Sequence, residues 1–262
     1  SHSMFQRLLF CTDFSDGVHR LTHFIPSFVN AGIQQVVFLH CVPLDGGNIP
    51  RVDQVKVDEA RQRLESALQS VPPGIKVSIE VESGRPSEAI WRVAKHYQVD
   101  LIVLGMPVRS SLGEKLFGST TMAVCQRSTV PLMVLRPQLI TTYTAEELDL
   151  RCQHLFRCLL IPYDGTDTSR YLVEEVKKYA QHRPDHSLQH CHVCWVVEDV
   201  GRRGVPSDYY VEPARKAIAE VKAELEAIHL SVDAEVRQGE PVSEILDVAQ
   251  MADVSAIAIT SN

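Results

Sequence analysis

Basic charge is in short supply: 26 Lys+Arg face 33 Asp+Glu, a formal net charge of −7 with histidine neutral. A polyanion needs a dense basic surface, so nucleic acid is not an expected partner, whereas a small anion held by backbone amides stays open. Long apolar runs are missing too. The longest, such as Val36–Leu39 and Leu101–Leu104, fall far short of the ~20 residues that cross a bilayer, so no membrane partner is expected. No secretory leader is expected either, and Ser1-His2-Ser3 before Met4 reads as a tag remnant. Aromatics are only 6%, yet hydrophobic residues reach 45% and can fill a core, which excludes a largely disordered chain.

The seven cysteines (Cys11, Cys41, Cys125, Cys152, Cys158, Cys191 and Cys194) are an odd, scattered set. Without a leader they read as reduced, mostly buried thiols, and a cytoplasmic location is expected. At roughly 100–200 residues per domain, 262 residues make one large domain or two modest ones.

A repeat decides between these. Leu8-Leu9-Phe10-Cys11-Thr12-Asp13 lines up with Leu159-Leu160-Ile161-Pro162-Tyr163-Asp164. Gly84-Arg85-Pro86-Ser87-Glu88-Ala89-Ile90 matches Gly239-Glu240-Pro241-Val242-Ser243-Glu244-Ile245, and Leu101–Leu104 answers Ala256–Ile259. Matched blocks in the same order indicate a duplication. Two similar domains follow, 4–137 and 156–262, with a linker over 138–155. In that linker Thr144-Ala145-Glu146-Glu147 has the spacing of a capping box, so a short helix is expected there.

Within each copy, strand-length apolar runs alternate with amphipathic stretches. The expected strands of the first copy are Leu8–Cys11, Gln35–Val42, Val77–Val81, Leu101–Leu104 and Leu132–Leu135. Between them one helical face carries Val18, Leu21, Ile25, Phe28 and Val29. A second carries Val57, Ala60, Leu64, Ala67, Leu68 and Val71, and a third Ile90, Trp91, Val93, Ala94 and Tyr97. The second copy repeats the order, with a long helix near Glu212–Ile228. The expected fold class is α/β, two tandem, doubly wound, Rossmann-like parallel sheets covered by helices.

In such sheets ligands bind beyond the carboxyl ends of the strands, where the winding reverses. Asp13 follows the first strand, Val42 ends the second, and Gly105-Met106 follows the fourth. Farther on, Gly118-Ser119-Thr120 opens a helix, where free amides and the helix dipole suit an anion. These residues resemble the universal stress protein family in its tandem form. Its ATP-binding members carry Gly-x-x-Gly, nine residues, then Gly-Ser/Thr, matched here by Gly105, the nine residues Arg109–Phe117, and Gly118-Ser119.

The resemblance implies an adenine-nucleotide-binding regulator of the stress response, with the adenine nucleotide alpha hydrolase-like fold. Asp13 and the Val42 backbone would face adenosine, and Gly105, Met106, Gly118, Ser119 and Thr120 would face ribose and phosphates. The implied ligand is ATP, with Mg2+ accompanying it, or AMP or ADP. Pairing through the last strand, as an internal pseudo-dimer or a homodimer, is implied as well. The alternative is self-pairing of two chains through an exposed Val130–Leu135 edge. A protein partner is implied without being identified.

The family's second glycine falls at Val108, after Pro107. Valine resists positive φ and proline removes an amide donor. A nucleotide-free interaction protein on the same fold is therefore the alternative reading. In the second copy Asp164 and Val197 correspond to Asp13 and Val42, but Thr260-Ser261-Asn262 aligns with Gly105-Met106-Pro107, so that copy is expected to be incomplete, without the loop, helix and strand beyond.

Other candidates read more plainly. Asp164 is expected to cap a helix, and Arg109 and Lys115 to be solvated. Trp91 and Trp195 are expected in the core. His190-Cys191-His192-Val193-Cys194 lies in an expected strand whose alternation sends Cys191 and Cys194 to opposite faces. Core packing is expected there and no metal site. No catalytic nucleophile with base and orienter is visible, so enzymatic turnover is limited to slow ATP hydrolysis.

Overall fold

The computed structural model describes residues 5–15, 17–105, 124, 130–135, 144–182, 188–198, 208–251 and 256–259. Among the described residues nine strands form one sheet. They are β1 (Arg7–Cys11), β2 (Gln35–Val42), β3 (Lys76–Ser83), β4 (Leu101–Gly105), β5 (Leu132–Leu135), β6 (Cys158–Pro162), β7 (His190–Glu198), β8 (Ser231–Gly239) and β9 (Ala256–Ile259). Their order is β3-β2-β1-β4-β5-β9-β6-β7-β8. β1, β4 and β5, which the sequence writes as continuous apolar runs, have nearly every residue buried, as parallel strands covered on both faces require.

The repeat survives in the register. β4 pairs with β1 as Leu8↔Leu101, and β9 pairs with β6 as Leu159↔Ala256, so β9 is the counterpart of β4. β5 runs parallel to β4 on one side and antiparallel to β9 on the other, with Met133↔Ala258 and Val134↔Ile257. This corrects the expected exposed edge. Val130–Leu135 cannot serve two chains as a free edge, because β5 is hydrogen-bonded on both sides, and the outermost strands are β3 and β8. The join between the copies runs through the last strand of the first copy and the fourth-strand counterpart of the second.

The helices are α1 (Ile25–Asn30), α2 (Gln54–Leu64), α3 (Pro86–His96), α4 (Ala145–Gln153), α5 (Asp167–Gln181), α6 (Asp208–Glu226) and α7 (Pro241–Met251). Three expectations change. The first apolar face is split between a 3-10 turn, Val18–His23, and α1. Pro26 has no N–H to offer Thr22, so one helix cannot run through both. The second face ends early: α2 tightens into a 3-10 turn at Glu65–Leu68, whose different residue spacing leaves Leu68 and Val71 exposed. Trp91 lies beside the buried stripe of α3 rather than on it, 39% exposed, while Ile90, Val93 and Ala94 pack inward.

The linker helix forms as its spacing dictates. Thr144 Oγ1 accepts from Glu147 N at 3.3 Å, and Glu147 Oε2 accepts from Thr144 N at 2.9 Å. The α4 helix packs on α1, where Ser27 Oγ donates to Asp149 Oδ1. One apolar core runs on this side of the sheet through both copies, and a second, built on Leu9, Val37, Leu39 and Ile102, lies under α3. Phe5 binds the copies across this first core, its ring 5.1 Å from Phe156 and 4.6 Å from Tyr179.

The start of β1 is anchored by Asp100, whose carboxylate accepts from Arg7 N at 3.0 Å and Gln6 N at 3.1 Å. Burial pushes its carboxyl up to about 6 from 3.8, the two amides offsetting only part of that. The folded state therefore holds this proton more tightly than the unfolded chain. Its contribution to stability should fall as pH rises from about 4 to about 6, then level off. In urea titrations across that window, the stability advantage of the native chain over Asp100→Asn should shrink as pH rises.

Candidate nucleotide site

The winding reverses between β1 and β4, neighbours in the sheet whose helices lie on opposite faces. Three of the expected site residues meet at that end. Cys11 pairs with Leu39 on one side and Leu104 on the other. Asp13 is two residues beyond Cys11, Val42 three beyond Leu39, and Gly105 one beyond Leu104. Met106, Gly118, Ser119 and Thr120 lie outside the described residues, as do Pro107, Val108, Arg109 and Lys115.

Asp13 is exposed, and its Oδ1 accepts from Ser15 N at 2.8 Å and Ser15 Oγ at 2.7 Å, a turn that carries the chain off the strand. Val42 has its side chain buried and its carbonyl accepting from Gly84 N at 3.1 Å. Strand amides and carbonyls alternate between neighbours. Because Leu39 O accepts from Thr12 N, the next backbone groups directed toward the β1 side belong to Cys41, not Val42. Burial pushes the Cys41 thiol up to about 12, so it is protonated and unreactive at neutral pH.

Sequence reasoning missed the company that Asp13 keeps. Phe14 adopts φ 67° and lays its ring 4.3 Å from that of His40. The Arg63 guanidinium sits 3.8 Å from the Phe14 centroid, and His19 meets its edge at 5.7 Å. His40 Nδ1 lies 2.8 Å from Thr12 O. Burial lowers both histidines from 6.5, with Arg63 adding to the effect, so they are neutral at pH 7 and Arg63 supplies the positive charge. These residues come from four separate segments, and no local spacing announces them.

The same place in the second copy is built differently. Tyr163 N donates to Cys194 O as Thr12 N does to Leu39 O. Gly165, the counterpart of Phe14, has φ 77°, and a Cβ there would stand 3.0 Å from Trp195. Trp195, the counterpart of His40, covers this glycine and meets Tyr163 edge-on at 5.8 Å. Asp164 Oδ1 accepts from Thr166 N at 3.0 Å. Burial raises its carboxyl, but the hydrogen bonds from Thr166 and Ser169 outweigh this and hold it below the ordinary value. Thr166, not Asp164, caps α5, accepting from Ser169 N at 3.3 Å. An indole fills the space that copy one lines with His40.

A family profile described as the universal stress protein family matches residues 4–136 and 156–262. A universal stress protein of Methanocaldococcus jannaschii is 24% identical over 157 residues, covering 51% of this chain and 96% of that protein. Among solved structures, a universal stress protein from Archaeoglobus fulgidus is 19% identical and covers 95% of this chain and 85% of its own, with a TM-score of 0.54. A universal stress protein solved in complex with cAMP is 21% identical and covers 52% of this chain and 99% of its own, with a TM-score of 0.35. No helix among the described residues is long and apolar enough to cross a membrane.

Proposed function

Because the chain belongs to the universal stress protein family, we propose that its first copy binds one adenine nucleotide and that the protein acts as a cytoplasmic regulator rather than an enzyme. The observation that carries this reading is the meeting of Asp13 and Gly105 at the reversal between β1 and β4. The Gly105 to Gly118-Ser119 spacing adds to it. On this reading Asp13 and the backbone at the end of β2 hold adenosine, with the Cys41 groups rather than those of Val42 facing β1. Gly105, Met106, Gly118, Ser119 and Thr120 hold ribose and phosphates, with Mg2+ accompanying ATP. The second copy takes no nucleotide, because Trp195 lies against Gly165 where the base would sit. The two copies then act as an internal pseudo-dimer.

Binding to the native state alone raises stability by mass action. ATP, ADP or AMP at 100 times its dissociation constant should add roughly 2.7 kcal/mol, read as a rise in the melting temperature. The second reading, a nucleotide-free interaction protein, rests on Pro107-Val108, where the frame lacks its glycine. It predicts no shift with any adenine nucleotide at millimolar concentration.

A further inference from the structure

Strand alternation puts His190 and His192 on the same face of β7. The register lays Ser231 opposite His190 and Asp233 opposite His192 on β8, directing both toward that face. In the first copy the position of His192 is held by Val37, since Leu9↔Val37 corresponds to Leu160↔His192. Val37 belongs to the core beneath α3. The second copy has thus replaced apolar packing by a polar cluster on a sheet face where unpaired polar groups are costly.

The cluster is well formed. One ligand atom each from His190, His192 and Asp233 lie within 4.8 Å of one another. His190 Nε2 is 3.1 Å from Asp233 Oδ2, and its Nδ1 is 3.0 Å from Ser231 Oγ. His192 is only 12% exposed, with Nε2 2.9 Å from Glu235 Oε1. Its Nδ1 is buried and has no hydrogen-bond partner among the described residues. An imidazole that binds a metal through one nitrogen almost always sets the other on a carboxylate, carbonyl or water, the place that Glu235 takes beside His192.

We propose that His190, His192 and Asp233 form a binding site for a divalent transition-metal cation of the zinc class. One nitrogen of each imidazole and the Asp233 carboxylate supply three ligands, and Ser231 and Glu235 hold the rings from behind. Tetrahedral coordination at about 2.0–2.1 Å sets ligand atoms roughly 3.3 Å apart, so a small rotation of the exposed Asp233 side chain closes the set. Three protein ligands leave a fourth position for water or a further ligand. The site lies in the second copy, away from Asp13, and stands whether or not nucleotide binds.

The test titrates the full chain with Zn2+ by calorimetry and with Co2+ by visible absorption. One equivalent should bind, without the charge-transfer band that thiolate ligation of cobalt produces. Asp233→Asn, at a position that is 69% exposed on its side chain, should fold normally and weaken binding at least about tenfold, the scale set by loss of even an outer partner. His190→Gln should do the same, and His192→Val, which restores the first copy's residue, should abolish binding. Failure to saturate at one equivalent would overturn the proposal. So would a thiolate band, or affinity unchanged in folded Asp233→Asn and His190→Gln.

Discussion

Phe156→Ala is expected to lower the free energy of unfolding by about 3–5 kcal/mol, the range for truncating a buried phenylalanine. The ring is fully buried, 5.1 Å from Phe5 and 5.6 Å from Tyr179. Phe5 arrives from the segment before β1 and Tyr179 from α5, so the cavity would open where the two copies meet. Its walls belong to elements pinned by the sheet and by Asp100, which limits relaxation into the void. The β5–β9 ladder ties the halves into one sheet, so urea unfolding should remain one cooperative transition, shifted as a whole. Ile49→Ala, at a position 68% exposed, is the control and should stay within about 0.5 kcal/mol. Two separate transitions, or a loss at Phe156 no larger than at Ile49, would contradict the shared core.

The second large effect falls on ligand affinity. Asp13→Ala should weaken adenine nucleotide binding roughly ten- to a hundredfold, which corresponds to losing a hydrogen bond to a charged group, about 1.5–3 kcal/mol. Alanine also removes the acceptor for Ser15 N and Oγ, so a loss there alone would not separate contact from turn. Asp13→Asn keeps an Oδ1 acceptor for Ser15 while removing the charge. Unchanged melting without ligand, together with weakened affinity, marks Asp13 as a ligand contact. Affinity equal to that of the native chain in Asp13→Asn, alongside loss in Asp13→Ala, would assign it to the turn.

The architecture was legible where the sequence writes it in runs. Leu101–Leu104 and Leu132–Leu135 announce buried parallel strands, and the capping box at Thr144 fixes α4. Repeat alignment foresaw the shared register of β4 and β9. Helix faces were harder, because a proline at 26 and a tightened turn at Glu65 reset the angular spacing on which periodicity depends. Trp91 shows that an apolar residue within a helical stretch need not lie on its buried stripe.

Site residues divide along the same line. Val42 and Gly105 end strands and Asp13 lies two residues past one, so order along the chain suffices to set them at one end of the sheet. The Phe14, His19, His40 and Arg63 cluster and the pairing of Trp195 with Gly165 depend on long-range packing that no local pattern encodes. At His190–Cys194 the alternation was written in the sequence. The same count that sends Cys191 and Cys194 to opposite faces sets His190 and His192 on one.

The central claim, one nucleotide site in the first copy and none in the second, is tested most directly by calorimetric titration of the intact chain with ATP, ADP and AMP. Saturation at one equivalent for at least one of them, lost in Gly118→Val, is the predicted result. No heat of binding at millimolar nucleotide, or saturation at two equivalents, would contradict it.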